Sequence, residues 1–278
     1  MGRFFDLDSP LMRGLSRMAD LIWVNLLTLL FFVPAIVMSS VTAATMIETK
    51  ALPFFGLALT WLLLLLAGPA LTAMHYVLLK MTRDEESYIT RSFFKSFRLN
   101  FVQSVGLSAI VNTVAMILIA DAYLLKTETL AQFPVVLRAL MIAVSVYLFL
   151  VSLWIFPMQC HFVNTVGGTL KNSFFFAVLS LPRSIGMALL TALPVVLFYF
   201  FDLHVLPVLL MYGFSGPGYF CACLYNKAFK RFEPEVTPVA DEDFHVLTAE
   251  EEAEREAEIP EAEAAGGLPD KGDEDAAE

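Results

Sequence analysis

The chain has 278 residues, of which 58% are hydrophobic and 17% charged, and its mean hydropathy is +0.68. A soluble domain is nearer about half apolar and about a quarter charged, so the composition argues against a water-soluble protein and for a membrane one. The net charge of −10 averages two unlike parts: residues 1–232 hold 16 of the 18 Lys and Arg and 10 of the 28 acidic residues, a net of +6, and residues 233–278 hold the rest, a net of −16.

In chain order, the first apolar run is Leu21–Val41, preceded by Arg17. It is too long for the roughly 7–15-residue apolar core of a cleaved signal peptide, so it reads as a retained span. Further spans are expected over Leu52–Leu79, Phe101–Leu125, Phe133–Phe156, Ile185–Phe201 and Val205–Leu224. Each is near the roughly 20 residues that cross about 30 Å of hydrocarbon. Lipid cannot satisfy backbone amides, so every span is expected to be helical. The fold class is all-α: a polytopic membrane protein with about six transmembrane helices, cytoplasmic amphipathic helices and a disordered C-terminal tail.

Of the 16 basic residues before position 233, thirteen fall in segments of one side, and only Lys50, Lys126 and Arg138 on the other. Lys and Arg near span ends are retained in the cytoplasm, which predicts both termini inside. Two domains follow: residues 1–232 in the membrane, and an acidic cytoplasmic tail over 233–278 with too little apolar surface to form a core.

Polar residues inside spans invite a functional reading because they are costly there. Asp20 is expected to pair with Arg17 one turn earlier. Asn25 and Asn112 lie deeper and suit interhelical hydrogen bonds. Asp121 and Arg138, near the outer ends of the third and fourth spans, are a candidate intramembrane pair. Pro34, Pro69, Pro194, Pro207 and Pro217 are expected to bend helices.

The connection Thr82–Asn100 predicts an amphipathic helix, with Thr82 and Glu85 as a capping box. Ile89, Phe93, Phe97 and Phe101 recur every four residues, with Arg91, Lys95 and Arg98 off that stripe. The expectation is an interfacial helix, its aromatic face in acyl chains and its basic face on the anionic inner leaflet. Arg91, Phe93, Phe94, Lys95, Phe97 and Arg98 are therefore candidate contacts to the membrane surface or a partner. The second connection, His161–Arg183, is more apolar and predicts a packed interfacial or partly re-entrant helix near Leu170–Leu181. A faint repeat joins the two connections: Ser92-Phe93-Phe94 with Ser104-Val105-Gly106, and Ser173-Phe174-Phe175 with Ser184-Ile185-Gly186. Gly68-Pro69, Phe156-Pro157 and Gly216-Pro217 punctuate the three spans that run inward.

No phosphate-loop, HExxH or GxSxG signature carries chemistry, and Gly213-Phe214-Ser215-Gly216-Pro217 reads as a bend rather than a nucleophile turn. The three cysteines, Cys160, Cys221 and Cys223, sit on the reducing side and read as ordinary helix cysteines. His75 and His161 lie toward the same end of their spans, and whether they meet is left open. The expectation is a non-enzymatic protein with no cofactor, no metal and no nucleic-acid partner; its oligomeric state is left open.

The segments SPLMRGLSRMADLIWVNLLTLLFFVPAI, GPALTAMHYVLLKMTRDEESYITRSFFKSFRLNF and TLKNSFFFAVLSLPRSIGMALLTALP together resemble the YesL-like family of bacterial integral membrane proteins. The resemblance spans about residues 1–230, and Arg83-Asp84-Glu85-Glu86 before the Phe-rich basic helix is its most specific element. It implies a bacterial plasma-membrane protein of unknown biochemical function, associated with carbohydrate uptake beside ATP-driven sugar transporters. An accessory or regulatory role is the first reading, with a sugar transporter complex as partner. The alternative is a transporter or channel for a small solute.

Overall fold

The computed structural model describes residues 10–85, 88–125 and 134–233. The chain divides after Phe232, and the acidic tail expected beyond that point lies outside the described residues but for Glu233. Among the described residues all regular structure is helical: α1 (Pro10–Thr49), α2 (Phe54–Leu64), α3 (Ala67–Thr82), α4 (Ile89–Leu99), α5 (Phe101–Leu125), α6 (Val135–His161), α7 (Val166–Leu179), α8 (Leu181–Phe201), a 3-10 turn (Asp202–Val205), α9 (Leu206–Tyr212) and α10 (Ser215–Phe229).

Five helical stretches are long and apolar enough to cross a membrane: Met12–Thr49, Phe54–Thr82, Phe101–Ile119, Val135–His161 and Leu181–Tyr212. The last is not one rod. Asp202 takes φ 52°, ψ −138° at the 3-10 turn. Beyond it, the Cys221 thiol points at the Met187 carbonyl, 3.9 Å away. A Cβ on Gly186 would lie 3.2 Å from Leu224. These pairs bracket the turn evenly, so α8 and the α9–α10 arm form an antiparallel hairpin. The sixth span expected from the sequence is thus two short helices in series. The first span is also longer than expected, since α1 runs unbroken past Pro34 to Thr49.

Proline explains where two of the spans break. A proline in a helix removes one amide bond and clashes with the carbonyl four residues earlier, so it is best tolerated in a first turn. Pro69 and Pro217 each sit third in α3 and α10, and the breaks fall at Leu65–Leu66 and Gly213–Phe214, where that clash would land.

The core gathers around α3, which packs on α1, α4, α5, α6 and α10. Its small residues allow this close approach, as is common between membrane helices. At Gly68 a Cβ would come within 2.5 Å of the Ser104 carbonyl oxygen and the Ser108 Cβ. Trp154, Tyr225, Phe93, Phe229 and Leu78 are the largest fully buried side chains near it. Apolar residues on the other faces, such as Leu30, Val136 and Leu189, remain exposed, as a lipid-facing surface requires.

The faint repeat has a structural counterpart. In each half a short helix meets a long one through a single residue: Asn100 between α4 and α5, Ser180 between α7 and α8. The amide ladder continues through both joints. The Asn100 N–H donates to Ser96 and the Ser104 N–H to Asn100; the Ser180 N–H donates to Phe176 and the Ser184 N–H to Ser180.

Candidate functional site

The basic residues α4 carries are positioned by what its other face buries. Phe93 is fully buried, stacked near Phe31 of α1 and Phe97. Phe97 lies 4.7 Å from Phe31, ring to ring. The Trp23 indole N–H donates to Thr90 at 2.8 Å, tying α1 to the start of α4. The expected placement of the aromatic stripe in acyl chains is therefore corrected: its centre is part of the protein core. Periodicity marked the face as apolar but not what would cover it. Phe94 is half-buried, while Arg91, Lys95 and Arg98 are exposed.

The entry to α4 is also corrected. Thr82 ends α3, its hydroxyl donating to Leu79, and does not cap α4. Asp84 takes φ 56°, and the N–H groups of Arg83 and Glu85 both donate to the Lys80 carbonyl. This is the left-handed turn with a six-to-one bond that closes helix C-termini. The Arg-Asp-Glu run is the end of α3, and α4 begins after Tyr88 without a side-chain cap.

Arg17 does not pair with Asp20. It reaches from α1 to the Asp84 carboxylate, and its other amino group donates to the Tyr219 hydroxyl at 3.4 Å. Asp20 instead faces a groove of about 1050 Å³ between α1 and the α3–α4 turn, which Arg13, Arg17 and Glu85 also line. A second groove, about 1000 Å³, runs along α4 past Tyr88, Arg91, Phe94, Lys95 and Arg98.

Deeper in the bundle, Asn25 makes the interhelical bonds expected of it at one helix break, while Asn112 donates to Ser108 of its own helix α5. The buried Asn25 carboxamide donates to the carbonyls of Leu210, at 2.8 Å, and Leu209, at 3.5 Å. Its oxygen accepts from the N–H groups of Phe214 and Ser215, at 2.8 and 3.0 Å. At the other break the Ser108 hydroxyl donates to the Leu64 carbonyl at 2.9 Å and accepts from Asn112. Backbone groups that an unbroken helix would satisfy are thus taken by neighbouring helices.

The side chain of Asp121 lies outside the described residues, so its pairing with Arg138 does too. The Arg138 guanidinium is half-buried, and its Nε has no hydrogen-bond partner among the described residues. His75 and His161 are placed at opposite ends of an aromatic row. His75 meets Tyr225 edge-on, its Nδ1 3.3 Å from the hydroxyl; Tyr225 packs on Phe229; and His161 stacks on Phe229 at 5.3 Å. Among the described residues no cluster of three or more His, Cys, Asp or Glu is arranged to hold a metal ion.

The sequence reading missed Gln159. This nearly buried amide near the end of α6 donates to the side chains of Asn100 and Gln103 and accepts from Thr169. Trp154, five residues earlier on α6, donates to Ser184 at 2.9 Å. One helix therefore braces both joints. A Gln three residues past the apolar run Phe133–Phe156 was the available signal.

Residues 18–122, from α1 through most of α5, match the family described as "Protein of unknown function, DUF624". No curated protein and no solved structure matches the chain. The fold and the family match together describe a polytopic helical membrane protein similar, over residues 18–122, to a family of unknown function.

Proposed function

We propose that the chain is a YesL-like, non-enzymatic protein of the bacterial plasma membrane, accessory or regulatory to carbohydrate uptake, with both termini in the cytoplasm. The bonding of Asn25 is the observation that favours an accessory role over a conduit. Solute carriers with broken helices present the unwound backbone to their substrate near the bilayer midplane. Here Leu210, Phe214 and Ser215 spend those groups on Asn25, and Leu64 spends its carbonyl on Ser108. The orientation rests on the distribution of Lys and Arg. The carbohydrate link rests on the sequence resemblance.

The test is purification in mild detergent from cells growing on a complex carbohydrate. Stoichiometric retention of the permease subunits of an ATP-driven sugar importer supports the proposal. Solute flux by the purified protein alone in liposomes would instead establish the alternative, a transporter or channel in its own right, for which the two broken helices are the favouring observation.

A further inference from the structure

The outward face of α4 has an order that its charge alone does not convey. Arg91, Phe94, Lys95, Arg98 and Leu99, followed across the Asn100 joint by Val102, recur at helical spacing and form one stripe. The groove of about 1000 Å³ follows this stripe from Tyr88 to Leu99. Since α4 links the membrane-crossing stretches Phe54–Thr82 and Phe101–Ile119, it lies at the bilayer surface. Leu99 and Val102 are 74% and 81% exposed where α5 enters the hydrocarbon. Tyr88 and Trp23, both exposed, flank the start of α4 as interfacial aromatics do.

Three cations thus stand beside an apolar strip that leads into the membrane, and none of the three is in an ion pair among the described residues. The partner that complements both parts carries an anionic head and a hydrocarbon chain on one molecule. We propose that this stripe binds a single anionic glycerophospholipid of the adjoining leaflet. Its phosphate sits among Arg91, Lys95 and Arg98, where the two guanidinium forks give it geometry as well as charge. One acyl chain lies along Phe94, Leu99 and Val102.

The sibling helix shows that this is not a general property of helices at this depth. α7 exposes Phe174, Phe175, Val178 and Leu179, with Lys171 as its one basic residue. It has apolar contact to offer but no cluster to hold a phosphate. The lipid site is independent of the accessory role and stands or falls without it.

The experiment uses the full-length protein in nanodiscs of equal phosphatidylglycerol and phosphatidylethanolamine, released into native mass spectrometry. The wild type is expected to retain one phosphatidylglycerol in preference. The R91Q/K95Q/R98Q variant should lose that preference by roughly tenfold to a hundredfold, with its detergent melting temperature unchanged. R91K/R98K, which keeps the charge, should retain part of the preference. K171Q/R183Q should match the wild type. Equal preference in the wild type and the triple variant overturns the proposal, as does an equal loss in K171Q/R183Q, which would mark diffuse charge. Displacement of the lipid by millimolar glycerol phosphate overturns it in favour of a free-phosphate site. A wild type without lipid preference that binds an acidic peptide through the same three side chains would assign the face to a protein partner.

Discussion

Asn25 of α1 and Phe214, 189 residues later, are joined by a 2.8 Å hydrogen bond from the Phe214 N–H to the Asn25 side-chain oxygen. The same carboxamide is bound to the backbone on both sides of the α9–α10 break. Replacing it with Ala or Leu leaves the partly buried Phe214 and buried Ser215 N–H groups without that partner, at about 1–3 kcal/mol. Asn25→Leu should lower the detergent melting temperature clearly. Asn25→Asp, which accepts but cannot donate when ionised, should not restore it. A melting curve unchanged in Asn25→Leu would show that the break holds itself.

The α8 and α9–α10 hairpin implies that the chain returns to its starting side. Reporter fusions after Lys126 and after Lys230 should report opposite compartments, outside and inside. If Leu181–Tyr212 crossed as a single helix, the two fusions would report the same compartment.

Gly68 is fixed by the nearness of α5. Gly68→Ala forces a methyl group against the Ser104 carbonyl and Ser108, so a loss of about 1–3 kcal/mol is expected. Gly167→Ala is the matched control, because nothing lies within 4 Å of its added Cβ. It should be neutral or gain up to about 0.5 kcal/mol. Thermal unfolding in one detergent compares the pair.

Phe93 and Lys95 test which face of α4 the protein keeps. Phe93→Ala empties a fully buried site and should cost about 3–5 kcal/mol. Lys95→Ala, on the exposed face, should stay within about 0.5 kcal/mol. Were Phe93 in lipid instead, the two variants would melt together.

Deleting residues 240–278 should leave membrane insertion and melting temperature nearly unchanged. The segment 233–278 carries 18 acidic and 2 basic residues, and offers too little apolar surface to support a core. A large fall in melting temperature would mean that the tail contributes to the stability of the membrane domain.

Hydropathy was enough to locate the five long apolar stretches, though not the break in the expected sixth span, because a bilayer demands long apolar helices wherever the chain crosses. Finer features were legible only as local tendencies. The Gly-Pro pairs announced bends, but the break lies at the residue whose carbonyl the proline would strike, three to four positions upstream. Thr82 and Glu85 have the spacing of a helix start, yet the same polar run closes α3, since short polar residues suit either end. Arg17 found Asp84 across 67 positions of sequence, a pairing that a helical-neighbour argument cannot anticipate. Asn25 and Asn112 were recognisable as hydrogen-bonding residues because a deep amide must find a partner. Which backbone Asn25 would serve depended on how α1 packs, and Asn112 met Ser108 of its own helix instead of a neighbouring one.

The single-residue joints at Asn100 and Ser180 make the two short helices into cranks. One residue added or removed at such a joint would turn the following span by about 100° and shift it by about 1.5 Å. At Asn100 that turn would carry Ser104 away from the Thr72 hydroxyl, 2.8 Å off at present. At Ser180 it would carry Ser184 away from the Trp154 indole. The length of each joint therefore sets the azimuth of an entire membrane span. These two positions should tolerate substitution far better than insertion.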